Sequence, residues 1–327
     1  MKSNRQSGVS RRTYLKLAGA GSVAGLTVTA GCSVDTGGDG GGDGGNGGDG
    51  GSGGSGNDTG TEGGDSAGSM EIVPGTAPGF PPFEFKDESG ELVGFDIDLL
   101  EAVVEETDYT LGDWQEFEFD SLIPALQNDR IDVIAAAMTI TEDRQQTIAF
   151  SDPYYNADQA ILVAGGGDFN PQSLDDLAGQ TVGAQEGTTG AGVIENELVA
   201  DGDIQQSNFR TYGNYVLAVQ DLENGNVDAL VIDQPVAQTF ADQRNVEIAF
   251  VYETGERYGF GLRQNESDVQ SALNEGLQAV RDSGRYEEIR NEWFGGSGEG
   301  ASGNESTGND SSGNATGTSS NSSAVGE

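Results

Sequence analysis

Between residues 70 and 295 the chain alternates short apolar runs with longer stretches in which apolar residues recur every three or four positions. The runs MEIVPGT, DVIAAAM, AILVA, TVGAQ, DALVID and EIAFV read as strands. The segments DIDLLEAVVEE, DSLIPALQN, YVLAVQDLEN and VQSALNEGLQAVRD carry helical periodicity. Strands alternating with helices predict a parallel α/β fold. Asp96 and Asp120 stand where helix N-caps are expected, and Ile97, Leu100 and Val104 share one face of the first helix, which assigns them to the core.

The pattern stops on both sides of this region. Residues 33–69 and 295–327 are almost wholly Gly, Asp, Ser, Asn and Thr, with too few apolar residues to build a core. The first tract reads as a flexible tether with a root-mean-square span of roughly 30 to 36 Å. The second holds glycosylation-type triplets at Asn304, Asn309, Asn314 and Asn321. Ahead of the tether, Ser10, Arg11, Arg12, Tyr14, Leu15 and Lys16 match the twin-arginine export pattern. Residues 17–30 are too few to cross a bilayer, which needs about 20 apolar residues. They read as the apolar part of a signal peptide ending at residue 31. Thr29, Ala30, Gly31 and Cys32 resemble a lipobox, so Cys32 is expected to carry lipid after cleavage.

Charge and residue choice then exclude most chemistry. The formal net charge is −40 and, with residues 1–31 removed, 55 acidic residues face 10 basic ones, Lys86 being the only remaining lysine. Such a surface suits concentrated salt, where screening lengths shrink to about 3 Å at 1 M, and a halophilic, archaeal source is expected. It argues against nucleic acid as a partner, because phosphate binding needs clustered Lys and Arg. The chain has no histidine, and Cys32 is its only cysteine. Ser-His-Asp and Cys-His catalysis, disulfides and zinc sites are therefore excluded, and no metal or cofactor is expected. No GxxxxGKS loop occurs.

What remains is a binding module, and six ordered motifs carry a resemblance: FPPFEF (80–85), GELVGFDIDLLEAV (90–103), SLIPALQNDRIDVIAAAMTITEDRQQTIAFSDPYY (121–155), VGAQEGTTG (182–190), NGNVDALVID (224–233) and GRYEEIRNEWFG (284–295). Together they resemble the polar amino acid binding proteins, family 3, that serve ABC importers. The resemblance implies an α/β fold of the two-lobe, periplasmic-binding-protein-like type II, with two hinge crossovers near 154–158 and 252–258. Lobe 1 would combine 70–155 with 257–295, and lobe 2 would hold 156–256.

An amino acid cleft needs a cation and N–H groups for the carboxylate, an anion for the ammonium, and walls that exclude water. On the resemblance, Arg144 forks the carboxylate, since only guanidinium offers two coplanar donors. Thr139 adds its N–H and hydroxyl, and Thr189 a backbone N–H from a helix start. Ala137 offers its carbonyl to the ammonium, Asp233 supplies the anion, and Phe80 and Phe119 form aromatic walls. Several relatives carry an acid where this chain has Ala77, and Gln185 and Ile232 occupy further positions facing the ligand side chain. The pocket therefore reads as neutral, with Glu186 close by. The function implied is an extracellular, lipid-anchored, monomeric binding protein, not an enzyme, that passes a free amino acid to an ABC permease and ATPase. A cyclohexadienyl dehydratase and an amino acid sensory receptor are the alternatives on the same fold.

Overall fold

The computed structural model describes residues 70–295. The export signal, Cys32, the tether and the tail triplets lie outside the described residues. Two five-stranded sheets organise the chain. The first runs, edge to edge, Gln115–Glu116, Pro74–Thr76, Val133–Ile134, Gly261–Leu262, Ala149–Phe150. The second runs Phe209–Tyr212, Val182–Gln185, Ala229–Asp233, Tyr155–Ala164, Val246–Tyr258. All six expected strand runs and all four helical segments coincide with elements of the fold. The expectation of parallel sheets needs correction. In each sheet three neighbouring strands are parallel and the remaining pairings are antiparallel.

Topology explains the mixture. Tyr155–Ala164 takes the chain out of the first sheet just after Ala149–Phe150, and Val246–Tyr258 brings it back just before Gly261–Leu262. A strand that leaves and a strand that returns along the same path must run in opposite directions, and they pair from Tyr155↔Tyr258 to Ala164↔Val246. The ladder is irregular between Tyr252 and Glu256, where extra residues on the returning strand are left unpaired. Aromatic rings hold the base of this ribbon: Phe83 meets Tyr155 and Tyr258 edge-on at 5.0 and 5.3 Å, and Tyr155 stacks on Tyr258 at 5.8 Å.

Core clusters lie under both sheets, and a third joins them. Ile161, Val182, Leu198 and Val231 belong to the second sheet's own cluster, and Leu122, Ile134, Met138 and Ala77 to one under the first. The third extends from Phe83, Phe95 and Leu99 through Tyr154 and Tyr258 to Tyr215, Leu230 and Ile232. Ile97, Leu100 and Val104 are buried as expected.

The two expected N-caps fall elsewhere. Helix Phe95–Glu105 is capped by Gly94, where an added Cβ would lie 1.9 Å from the Phe83 carbonyl oxygen. With φ at 146°, the position excludes a side chain on both steric and conformational grounds. Asp96 is instead the second helical residue and is fully buried, and the helix start has no side-chain cap hydrogen bond. Asp120 lies inside a single 3-10 turn, Phe119–Ser121, that feeds helix Leu122–Gln127, whose N-cap is Ser121.

Candidate functional site

The eight residues implied by the resemblance converge on one cleft between the sheets, with Glu84, Ala136 and Thr188 completing its lining. About 300 Å³ of space unfilled by atoms, part of it open to solvent, lies between them.

One end is cationic. Thr141 caps the short helix Glu142–Gln145, its hydroxyl accepting from the Arg144 N–H, which fixes the backbone from which the Arg144 side chain extends. The guanidinium donates to the Thr139 carbonyl at 2.7 Å and, across to the second sheet's loops, to the Gly187 carbonyl at 3.0 Å. It lies over the Phe119 ring at 5.4 Å. Burial pulls its pKa down from the usual value, while the Glu256 and Asp233 charges hold it up. Gly187 has φ of 75°, a conformation natural to glycine, and turns the chain into Thr188. Thr188 is the N-cap of helix Thr189–Val193, accepting from the Ala191 N–H at 3.2 Å, so Thr189 is the first helical residue.

The other end is acidic. Asp233 terminates strand Ala229–Asp233, is 4% exposed, and accepts from the Tyr258 hydroxyl at 2.5 Å. Burial first, then Glu256, pushes its carboxyl up to about 7, against the pull of the Tyr258 bond. Ala137 sits at φ of 45°, strained for a residue with a Cβ. The buried Asp96 carboxylate holds it there, accepting from the Ala137 N–H at 2.7 Å and from the Tyr154 hydroxyl at 2.5 Å. Burial raises Asp96 to about 7 despite those two donors. Phe80 forms a wall that packs on Tyr215 at 5.7 Å. Gln185 is buried at the end of strand Val182–Gln185.

Three residues escaped the sequence reading. Glu256 projects from the irregular part of the ribbon, and one of its oxygens accepts from both the Thr139 and Thr189 hydroxyls at 2.8 Å. Its second oxygen accepts from Gln159 at 3.2 Å, and Gln159 also reaches the Thr189 hydroxyl at 3.3 Å. The Thr139 hydroxyl, assigned above to a carboxylate, is therefore already engaged with Glu256. Glu84 is a buried carboxyl in the lining. The expectation of a neutral pocket left this carboxyl out, and burial raises it well above its usual value, toward the uncharged form. Ile232, Ala77 and Glu186 are not among the residues lining the cleft: the first two are buried in core clusters and Glu186 is exposed.

A cation and buried carboxyls lining one cleft, with aromatic walls, suit a zwitterion of amino acid size. A family model for bacterial extracellular solute-binding proteins, family 3, matches residues 72–296. The chain belongs to this family. This solute-binding protein is 34% identical over 224 residues to a probable histidine-binding protein of Campylobacter jejuni, covering 68% of this chain and 84% of that one. It is also 34% identical over 226 residues to a putative ABC transporter arginine-binding protein of Escherichia coli, covering 67% and 88%. An ancestral arginine-binding protein solved with arginine superposes with a TM-score of 0.64 at 39% identity, covering 68% of this chain and 98% of that one. The fold is thus the two-lobe type II arrangement of amino acid-binding proteins, each five-stranded sheet forming the centre of a lobe.

Proposed function

We propose that this protein captures a single free amino acid outside the cell and presents it to an ABC permease driven by a cytoplasmic ATPase. The observation that carries the reading is that the cleft is lined by a cation from one lobe, Arg144, and a buried acid from the other, Asp233, with Ala137 beside them. Arg144 takes the α-carboxylate, with N–H groups at Thr139 and Thr189, and Asp233 takes the α-ammonium. Phe80 and Phe119 enclose the side chain. Lobe 1 comprises 70–155 with 257–295 and lobe 2 comprises 156–256, hinged on the paired crossing strands. Twin-arginine export, a lipid on Cys32 and the Gly/Asp tether keep the monomeric domain near the membrane, in a salt-rich setting matched to its acidic surface.

A thermal-shift screen of the twenty amino acids on the full chain in high salt tests this. At least one is expected to raise the melting temperature, because ligand that binds only the folded state stabilises it. The absence of any shift, with prephenate turned over instead, would replace the binding role by the dehydratase one.

A further inference from the structure

Glu256 reaches the cleft because the returning strand breaks its ladder. Continued one-for-one from Tyr252↔Gln159, the register would set Thr254 opposite Ala157 and Glu256 opposite Tyr155, yet Glu256 stands opposite Ala157. The break carries Glu256 two residues, about 7 Å, toward Gln159 and leaves it on the same face. There its carboxylate accepts from Gln159 at 3.2 Å and from the Thr139 and Thr189 hydroxyls at 2.8 Å. Glu253, Thr254 and Gly255 form the bulge, all exposed, and between the paired positions they face one residue of the outgoing strand, Asp158. Its Oδ1 accepts from the Thr254 N–H at 2.9 Å and from the Gly255 N–H at 2.8 Å. Water would satisfy exposed donors equally well. What a carboxylate oxygen on the opposite strand adds is direction, because two charge-assisted bonds to successive N–H groups hold the bulge against the ribbon. Gly255 completes the turn at φ of 63°, natural to glycine, with open space where a Cβ would stand.

We propose that Asp158 is a positioning residue of the cleft: by pinning the bulge it aims Glu256 at Thr139 and Thr189, and so governs ligand affinity from outside the lining. The inference rests on the amino acid reading, in which Thr139 and Thr189 offer N–H groups to the α-carboxylate. Asp158 is half-buried and is not among the residues lining the cleft. Strand alternation puts its side chain on the face opposite Gln159, so its effect on binding passes through Glu256. Thr139 and Thr189 stand on the two sides of the cleft, and Glu256 is their common anchor. Loss of Asp158 leaves the bulge donors to water and lets the Glu256 carboxylate leave both threonines at once.

Calorimetry with arginine and with glutamine on the full chain in high salt tests the assignment, the tightest of the twenty amino acids replacing them if neither binds. Asp158→Ala should weaken binding by about fivefold to tenfold, no more than Glu256→Gln does. Asp158→Asn keeps one carbonyl oxygen for both N–H groups and should stay within about twofold of the native protein. In the Glu256→Gln background, Asp158→Ala should change affinity by less than about twofold, because the group it acts through is already disabled. Should Asp158→Ala fail to fold, Gly255→Ala, which strains the bulge without filling space, should show the same dependence on background. Equal losses in the two backgrounds, native affinity in Asp158→Ala, or Asp158→Asn as weak as Asp158→Ala overturns the role. Hydrogen exchange on the ligand-free chain reads it without a ligand. Asp158→Ala should speed exchange at Thr254 and Gly255 and in the segments carrying Thr139 and Thr189, and acceleration confined to the bulge overturns the role too. Binding of no amino acid at all fails the cleft reading itself, and exchange alone then decides the case of Asp158.

Discussion

Replacing Arg144 by alanine probes the cleft most directly. Arg144 reaches both lobes, donating to Thr139 at 2.7 Å and Gly187 at 3.0 Å, and stacks over Phe119. If Arg144 takes the α-carboxylate as proposed, its loss truncates one partner of a buried charged contact, which costs about 2 to 5 kcal/mol. At 1.4 kcal/mol per decade, Arg144→Ala should weaken amino acid binding by roughly thirtyfold or more. The variant also loses two neutral-acceptor hydrogen bonds, worth about 1 kcal/mol each to the fold, so its melting temperature should fall without collapse. Arg144→Lys keeps a point charge but not the fork, and should bind with intermediate affinity. Arg130 supplies the control. It is exposed and lies over Phe117 at 4.7 Å, a contact worth about 0.5 to 1 kcal/mol of stability and remote from the ligand. Calorimetry with the tightest amino acid, beside circular dichroism, reads both effects. If Arg144→Ala stays folded and binds as tightly as Arg130→Ala, the carboxylate site is misplaced and the reasoning fails.

Three further outcomes follow from the structure. Glu256→Gln leaves one acceptor oxygen where the carboxylate served two threonine hydroxyls and Gln159, and should weaken binding about tenfold; combined with Thr189→Val, its effect should be non-additive, and simple additivity would disprove the shared network. Asp96 titrates near 7 when folded against 3.8 ordinarily, so the folded state holds the extra proton between about pH 4 and 7, and ligand-free stability should fall as pH rises through that window; Asp96→Asn, which cannot lose that proton, should shallow the slope of the denaturation midpoint in high salt, and an unchanged slope would refute the attribution. Cys32→Ala, with the twin arginines intact, should release the protein into the medium, and its retention on membranes in a cell fractionation would defeat the anchor.

Much of the fold could be read because the apolar periodicities are strong where they matter, as in Ile97, Leu100 and Val104 or the run ending at Asp233. The mixed sheet directions could not. They depend on which strands carry the chain between lobes, a property of the path and not of any local pattern. Asp96 misled for a related reason. An acid immediately before an apolar helix face resembles a cap, but Gly94 takes that position because the Phe83 carbonyl leaves no room for a Cβ, freeing Asp96 to hold Ala137. Glu84 and Glu256 were hidden in a chain so rich in carboxylates that another acid carries no signal. Only burial separates Glu84 from the solvated acids, and only the irregular ladder near Tyr252 aims Glu256 at both threonines.

That last contact bears on how the cleft closes. A ligand shifts a conformational equilibrium only through contacts it makes better in one state than in the other. Here Glu256 joins Thr139 to Thr189, and Arg144 joins Thr139 to Gly187. The two sides of the cleft thus share stabilising contacts of their own. Some of them occupy donors that an α-carboxylate also seeks, so an entering ligand exchanges internal partners for its own and gains only the difference. A charged carboxylate is a stronger acceptor for guanidinium than the neutral Gly187 carbonyl it replaces. An ammonium adds a positive charge beside Asp233, whose carboxyl burial and the Glu256 charge push up despite the Tyr258 hydrogen bond. The closing free energy a ligand contributes should therefore come more from its ammonium end than from its carboxylate end.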